Sequence, residues 1–203
     1  MITRIIIQNY RLFRFFDLKF TPDINILVGC NDAGKSTLIE AINLALTGRL
    51  NGRSFAQELS PYLVNREATR EYVAALQAGG TPVPPEIIID LFLEEREDTA
   101  ELRGTNNLLA ENTCGVRVQA KLSPEYSDEY QKFIADRQSV KLVPTEYYRV
   151  DWVGFSGNPV SPRSIPASAS VIDSSTIRLA AGVDYHLQQI VRSHLDARER
   201  VEL

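Results

Sequence analysis

With 203 residues, 44% hydrophobic and 24% charged, the chain has the size and composition of one soluble domain with a real core. A net charge of −4 gives no bulk electrostatic case for a polyanion partner. Two cysteines, Cys30 and Cys114, do not make a disulfide framework; they fit a reducing cytosol and read as small buried apolar residues. The apolar run Ile5–Ile7 is too short for a signal peptide, and no stretch reaches the roughly 20 apolar residues of a membrane span. A cytoplasmic location without a membrane partner is expected.

In chain order, "ITRIIIQNYRLF" predicts a strand through its β-branched run. "FFDLKF" alternates Phe16, Leu18 and Phe20 with Asp17 and Lys19, the pattern of a half-buried strand, and the short link favours an antiparallel pair. "INILVG" is a continuous apolar run and predicts a strand buried on both faces. From Gly34 to Thr47 the spacing predicts a helix, with Leu38, Ile39, Ile42 and Leu46 on one face and Gly48 as its stop. Asn51-Gly52 predicts a turn, and a second helix spans 65–78, capped by Asn65 and ended by Gly79-Gly80. "GGTPVPP" is a loop.

"EIIIDLFLEE" and "GVRVQAKL" predict two more strands, the second with Val116, Val118 and Ala120 on one face. Asp90, Phe92 and Glu94 share the outer face of the first, which reads as a half-solvated antiparallel strand. Ser123-Pro124 opens a helix to about Arg137, and "YYRVDWVGF" is an alternating strand. Residues 156–168, rich in Ser and Pro, read as an exposed loop, and "ASVIDSS" as a short strand. A last helix runs from about Val183, with Val183, Leu187, Ile190, Val191 and Leu195 at helical spacing. Beyond Leu195 the apolar face thins into "DARERVEL", so the end of this helix is expected to project.

The chemistry concentrates in "VGCNDAGKSTLIEAI", where Gly29, Gly34, Lys35 and Ser36 satisfy G-x-x-x-x-G-K-[ST]. Glycines let the backbone curl so that successive N–H groups converge on phosphate oxygens, and a helix N-terminus adds partial positive charge. In this pattern Lys35 reaches the terminal phosphates and Ser36 holds magnesium. Ala33 and Thr37 complete the loop, Thr37 adding a hydroxyl near the α-phosphate. Mg-ATP is the cofactor this motif implies.

The first 42 residues, "ITRIIIQNYRLFRFFDLKFTPDINILVGCNDAGKSTLIEAI" with its leading Met, resemble the ATPase heads of the SMC and RecF-like ABC ATPases. The features are a strand ending in Asn-aromatic-Arg, a Phe-rich second strand and then the loop. The loop form N-D-A-G-K-S-T, with Asp32 where those heads usually carry glycine, is most similar to the OLD family of ATP-dependent endonucleases. The resemblance implies an α/β fold: the N-terminal lobe of a P-loop ABC-type head, a mixed sheet with an antiparallel β-subdomain and a C-terminal helix. The head lobe would span 1–182, with a helical arm or dimerisation segment from 183 to 203.

The same resemblance implies roles for particular residues. Arg11 would reach bound ATP, Asn31 would face the γ-phosphate across a head dimer, and Asp32 would stand beside the loop. ABC heads also draw a second magnesium contact from a glutamine-bearing loop after the antiparallel strands. Here "PASASVIDSSTIR" offers no glutamine, and Asp173 is the nearest metal-competent group. Partners implied are DNA, a C-terminal ATPase half, a Toprim nuclease domain or second subunit, and a further copy of the protein.

An ABC head also needs a Walker B acid pair and an LSGG-type signature. No signature occurs here, so the isolated chain is expected to be inactive as an ATPase. Asp90 and Glu94-Glu95 imitate Walker B but lie on what reads as an antiparallel strand. The run Glu94, Glu95, Glu97, Asp98 and Glu101 is unspaced and reads as a solvated face. His186 and His194 stand too far apart on one helix to share a metal. Arg4, Arg11, Arg14 and Lys19 read as a solvated basic face, and no aromatic stacking platform is expected. Two other functions fit a phosphate loop: a non-hydrolysing nucleotide-sensing or dimerisation module, and a P-loop kinase, which would need an arginine-bearing lid.

Overall fold

Strand β1 (Ile2–Tyr10) lies inside the sheet, with an antiparallel neighbour on each edge. On one side the tight link at Arg11-Leu12 returns the chain as β2 (Phe13–Lys19), with Ile5 opposite Leu18 and Ile7 opposite Phe16. On the other lies β5 (Ile87–Leu93), with Ile7 opposite Ile89. Numbered in chain order, the remaining strands are β3 (Arg49–Leu50), β4 (Arg53–Ser54), β6 (Arg103–Gly104), β7 (Thr113–Leu122) and β8 (Tyr148–Gly154). The main sheet runs β2-β1-β5-β7-β6, and β8 pairs with β7, every pairing antiparallel. The computed structural model describes residues 1–30, 33–162 and 164–167, all within the unit Met1–Ala167.

Side chains alternate across a strand, so the register sorts the core into two faces. Ile5, Ile7, Ile89, Leu91, Val116 and Val118 share one face, toward helix α1 (Lys35–Thr47). Trp152 of β8, paired with Val118, stands on this face and donates its indole N–H to the Ala45 carbonyl at 2.9 Å. A Cβ at Gly48 would lie 2.6 Å from the Trp152 ring, and Gly48 has φ 66°, so the helix stop requires glycine twice over. Ile6, Asp90, Phe92 and Arg117 point to the opposite face, where Phe155, Leu108 and Leu109 pack on Ile6 and Phe92.

This second layer corrects the half-solvated reading of β5. All of its residues are buried, Asp90 completely, because the segment around Asn106–Leu109 closes over the face expected to meet water. The strand is antiparallel, as expected.

Three further expectations fail. "INILVG" forms no strand; Ile24, Ile26 and Val28 are 80, 82 and 90% exposed. A doubly buried strand needs a ladder on both edges, and none of the described strands pairs with this segment. In α1 the buried residues are Leu38, Ala41, Leu44, Ala45 and Leu46, whereas Ile39 is exposed. The small alanines let the helix lie close to the sheet, and a reading by large residues passes over them. The helix expected over 124–137 is a 3-10 turn, Pro124–Tyr126, followed by α4 (Ser127–Phe133). It stops early because the chain turns at Asp136, whose carbonyl accepts from the Ser139 N–H and hydroxyl, ahead of the buried Val140.

Other local readings hold. Asn51 and Gly52 both have positive φ, the geometry of a tight hairpin joining β3 and β4. Between that hairpin and the next long helix lies the single turn α2 (Phe55–Glu58). In α3 (Arg66–Gln77), the Asn65 side chain accepts from the Glu67 and Ala68 N–H groups. Cys114 is buried, but Cys30 is exposed in the loop, against the expectation for both cysteines. Tyr126, Tyr130 and Phe133 gather around Tyr147 at 5.8 to 6.4 Å, an aromatic cluster not foreseen from the sequence. The "ASVIDSS" strand, Asp173 and the helix from Val183 lie outside the described residues.

Candidate phosphate-binding loop

The loop closes at Gly34, which caps α1 with φ 87° and whose carbonyl accepts from the Leu38 N–H at 2.9 Å. A Cβ on Gly34 would stand 2.8 Å from the ring of Phe13, itself stacked on Phe16 at 4.4 Å between centroids. A Cβ on Gly29 would stand 3.0 Å from that of Ala33. Gly34 is thus demanded by close approach and by its backbone, and a side chain at Gly29 would crowd Ala33. Phe13 is a residue that sequence reading did not connect with the loop; it fixes where the helix begins.

Helix α1 has no acid in its first turn and no side-chain cap, so its leading N–H groups are left for another acceptor. Helix α3, capped by Asn65, is the contrast. The Lys35 ammonium donates to the carbonyls of Gly29 at 2.6 Å and Cys30 at 2.7 Å. It therefore bridges the two ends of the loop and stands where a phosphate oxygen would meet it. Ser36 is exposed and Thr37 half-buried at the same end of the helix. Asn31 and Asp32 lie outside the described residues.

Arg11 sits at φ 47°, with its N–H donating to Leu63 O and its own carbonyl accepting from the Asn65 amide. Its guanidinium meets Glu40 of α1: Nε lies 2.6 Å from Oε1, and Nη2 donates to Oε2 at 3.0 Å. The Tyr10 hydroxyl donates to Oε1 of the same carboxylate at 2.5 Å. Burial first, and then the Glu40 hydrogen bond, hold the Tyr10 phenol well above its ordinary range. Glu40 is four residues beyond Ser36 and so shares its helix face. Arg11 is thereby anchored one turn below the loop. Glu40 was missed from sequence; the signal was its spacing from Ser36 opposite an Asn-Tyr-Arg strand end.

The donor set fits Mg-ATP: a loop between Gly29 and a left-handed Gly34, uncapped helix N–H groups, a positioned ammonium and an exposed hydroxyl. Among the described residues no cluster of His, Cys, Asp and Glu could hold a metal by itself. No described helix is long and apolar enough to cross a membrane.

A family model described as "AAA domain" matches residues 4–142. The DNA replication and repair protein RecF of Haemophilus ducreyi is 37% identical over 67 residues, covering 33% of this chain and 18% of the relative. The RecF of Vibrio vulnificus is 33% identical over 72 residues, 36% of this chain and 19% of the relative. The DNA double-strand break repair Rad50 ATPase of Methanopyrus kandleri is 49% identical over 49 residues, 24% of this chain and 6% of the relative. These matches span less than a fifth of the relatives' lengths. A solved structure described as "Structural biochemistry of ATP-driven dimerization and DNA stimulated activation of SMC ATPases" aligns over 100% of this chain and 96% of that one. Its TM-score is 0.41 at 14% identity, too loose to bear on function.

Proposed function

The chain belongs to the AAA-domain family, and we propose that it is the Mg-ATP-binding N-terminal lobe of an SMC/RecF-like ABC ATPase head. The observation that carries this is the Lys35 ammonium lodged on the Gly29 and Cys30 carbonyls at the uncapped start of α1. On binding, Lys35 exchanges those carbonyls for phosphate oxygens, the first-turn N–H groups of α1 donate to the same group, and Ser36 supplies a hydroxyl to magnesium. The bound magnesium would neutralise developing phosphate charge. Glu40 keeps Arg11 positioned beside α1 until nucleotide competes for it.

The exposed apolar segment at Ile24–Val28, with which none of the described strands pairs, supports a lobe completed by further strands. Those strands would come from a C-terminal ATPase half, in this polypeptide or another. In the finer reading the whole is an OLD-like ATP-dependent endonuclease acting on DNA, with a Toprim nuclease domain and head-to-head dimerisation. The loop sequence N-D-A-G-K-S-T supports it. Asn31 and Asp32 would then meet the nucleotide, Asp173 would supply a second magnesium contact, and the segment from 183 would start a helical arm.

Calorimetry of ATP with magnesium tests the central claim. The wild-type chain should bind, and Lys35→Ala should weaken binding by about 1.5–3 kcal/mol, the worth of a charge-assisted hydrogen bond. Equal affinity in the two proteins would remove the loop as the site.

A further inference from the structure

We propose that Glu40 is an internal competitor for Arg11: its carboxylate holds the guanidinium against the pull of phosphate, lowers the affinity of the loop for Mg-ATP, and stays with the Tyr10 hydroxyl when Arg11 is drawn away. The inference rests on the reading of the Lys35 loop as the nucleotide site. It gives that site a threshold set by two residues outside the loop motif.

Helix geometry brings Arg11 within reach of the loop. Side chains on a helix lean toward its N-terminus, so the Glu40 carboxylate lies over the turn of α1 that carries Ser36 and Thr37. The guanidinium paired with it is therefore about one turn from the phosphate end of the helix. The Arg11 backbone is fixed by other means. Its N–H donates to the Leu63 carbonyl and its own carbonyl accepts from the Asn65 amide, each at 2.8 Å, with φ at 47°. Those anchors stay in place when the side chain swings. Glu40 is thus not needed to bring Arg11 to the site; it decides where the guanidinium points.

The hold on Arg11 is firm but incomplete. The pair is partly desolvated, with side chains 37 and 26% exposed, so its attraction exceeds that of a surface ion pair. Nη2 donates to Oε2 at 3.0 Å, the one aligned hydrogen bond of the guanidinium among the described residues. Nε is buried and only 2.6 Å from Oε1, yet makes no aligned bond to it. Oε1 accepts from the Tyr10 hydroxyl at 2.5 Å instead. Tyr10 is wholly buried, so its hydroxyl stays on the carboxylate.

That shared oxygen makes release possible. A half-buried carboxylate stripped of its arginine is costly, but one that keeps a phenol donor is not stranded. Phosphate oxygens offer Arg11 a bidentate partner of at least equal charge. Lys35 rests on neutral carbonyls and exchanges them readily, whereas Arg11 must leave a full negative charge. A neutral ligand offers nothing that outcompetes a carboxylate, so the latch opens for a polyphosphate.

The test is calorimetry of Mg-ATP with the whole chain and its variants. Glu40→Gln should tighten binding about threefold to tenfold, because the competent orientation of Arg11 is then no longer taxed. Tyr10→Phe, which keeps the buried ring, should weaken binding a few-fold, because release then strands the carboxylate. The two changes remove the same hydrogen bond, and a merely structural role would move both affinities in one direction. Arg11→Met/Glu40→Gln removes both charges and should bind about tenfold more weakly than wild type, since the phosphate has lost a cation. Glu71→Gln, which removes an acid paired with Arg14, is the control for charge alone and should leave affinity unchanged. Glu40→Gln no tighter than wild type would overturn the proposal. So would tighter binding in Tyr10→Phe, or a double variant equal to wild type. Tyr10→Phe carries the test by itself if Glu40→Gln is too unstable to measure. Failure of the latch alone leaves ATP binding that Lys35→Ala weakens; failure of the nucleotide reading leaves wild type and Lys35→Ala alike, and removes the latch with it.

Discussion

Asp90 and Arg117, opposite each other in the β5–β7 register, share two hydrogen bonds, Nε to Oδ1 and Nη2 to Oδ2, both 2.7 Å. Asp90 is completely buried, and it also accepts from the Leu108 N–H at 2.7 Å. Arg117 reaches on to Asn106 at 3.2 Å. The acid that imitates Walker B in the sequence is thus committed to holding the Asn106–Leu108 segment over the sheet.

That commitment predicts a stability effect with a particular signature. Arg117→Met leaves Asp90 buried and unpaired, and should cost about 3–5 kcal/mol. The double variant Asp90→Leu/Arg117→Met removes both charges and should recover most of the loss. Urea midpoints measure both. A mild Arg117→Met, below about 1 kcal/mol, would mean that the pair is far more solvated than its geometry says.

Gly34→Ala should damage fold and site together. An alanine at φ 87° costs about 1–2 kcal/mol of backbone strain, and its Cβ meets the Phe13 ring at 2.8 Å. Gly52→Ala is the control: φ is 80° but nothing lies within 4 Å of the added Cβ. Thermal melts should show the larger drop for Gly34→Ala. ATP binding should fall with it and stay unchanged for Gly52→Ala. Equal drops would leave no role for Phe13 in seating the helix.

Much of this site was legible because local chemistry determined it. The loop motif, the helix stop at Gly48, the Asn51-Gly52 turn and the Asn65 cap each rest on one or two residues whose backbone or side chain allows little else. What the sequence hid was decided by distant neighbours. The outer face of β5 reads as wet until Leu108, Leu109 and Phe155, from other parts of the chain, are laid on it. The buried face of α1 includes Ala41 and Ala45 beside Leu38, Leu44 and Leu46, and the small size of the alanines is informative only once the sheet beneath is known. Phe13 entered the site by a long-range approach that no spacing rule anticipates, whereas Glu40 stands one turn from Ser36 and its spacing was the signal.

The buried phenols set an alkaline limit. Burial raises Tyr10, Tyr72 and Tyr148 above the ordinary tyrosine value of about 10. Between that value and the folded-state values the unfolded chain has released its phenolic protons and the folded chain has not. The folded state binds more protons there, so stability falls as pH rises. It should be undiminished by this effect below about pH 9 and decline progressively above about pH 10. In Tyr148→Phe, which loses one hydrogen bond to the Pro85 carbonyl, the decline should be shallower although neutral-pH stability is lower. Urea midpoints across that range, with parallel slopes for the two proteins, would contradict the burial of Tyr148.

The segment before the loop offers the sharpest contrast between sequence and structure. Read from its letters, Ile26 and Val28 belong to a doubly buried strand, and replacing either by a polar residue would cost several kcal/mol, on the order of 2–5 for a lost core side chain. In the structure they are 82 and 90% exposed. Ile26→Ser and Val28→Thr should therefore change the stability of this chain by no more than about 0.5 kcal/mol. They should also reduce the binding of a hydrophobic dye to the native protein, because Ile24, Ile26 and Val28 present apolar side chains close together in sequence. In a protein carrying the proposed C-terminal half the same substitutions should become costly, since the segment would then join a ladder and lose its water. Measuring Ile26→Ser in both contexts separates an intrinsically exposed segment from one that awaits strands. A penalty of several kcal/mol in this chain alone would return the segment to its own core. A negligible penalty in both would remove the support it gives to a split head.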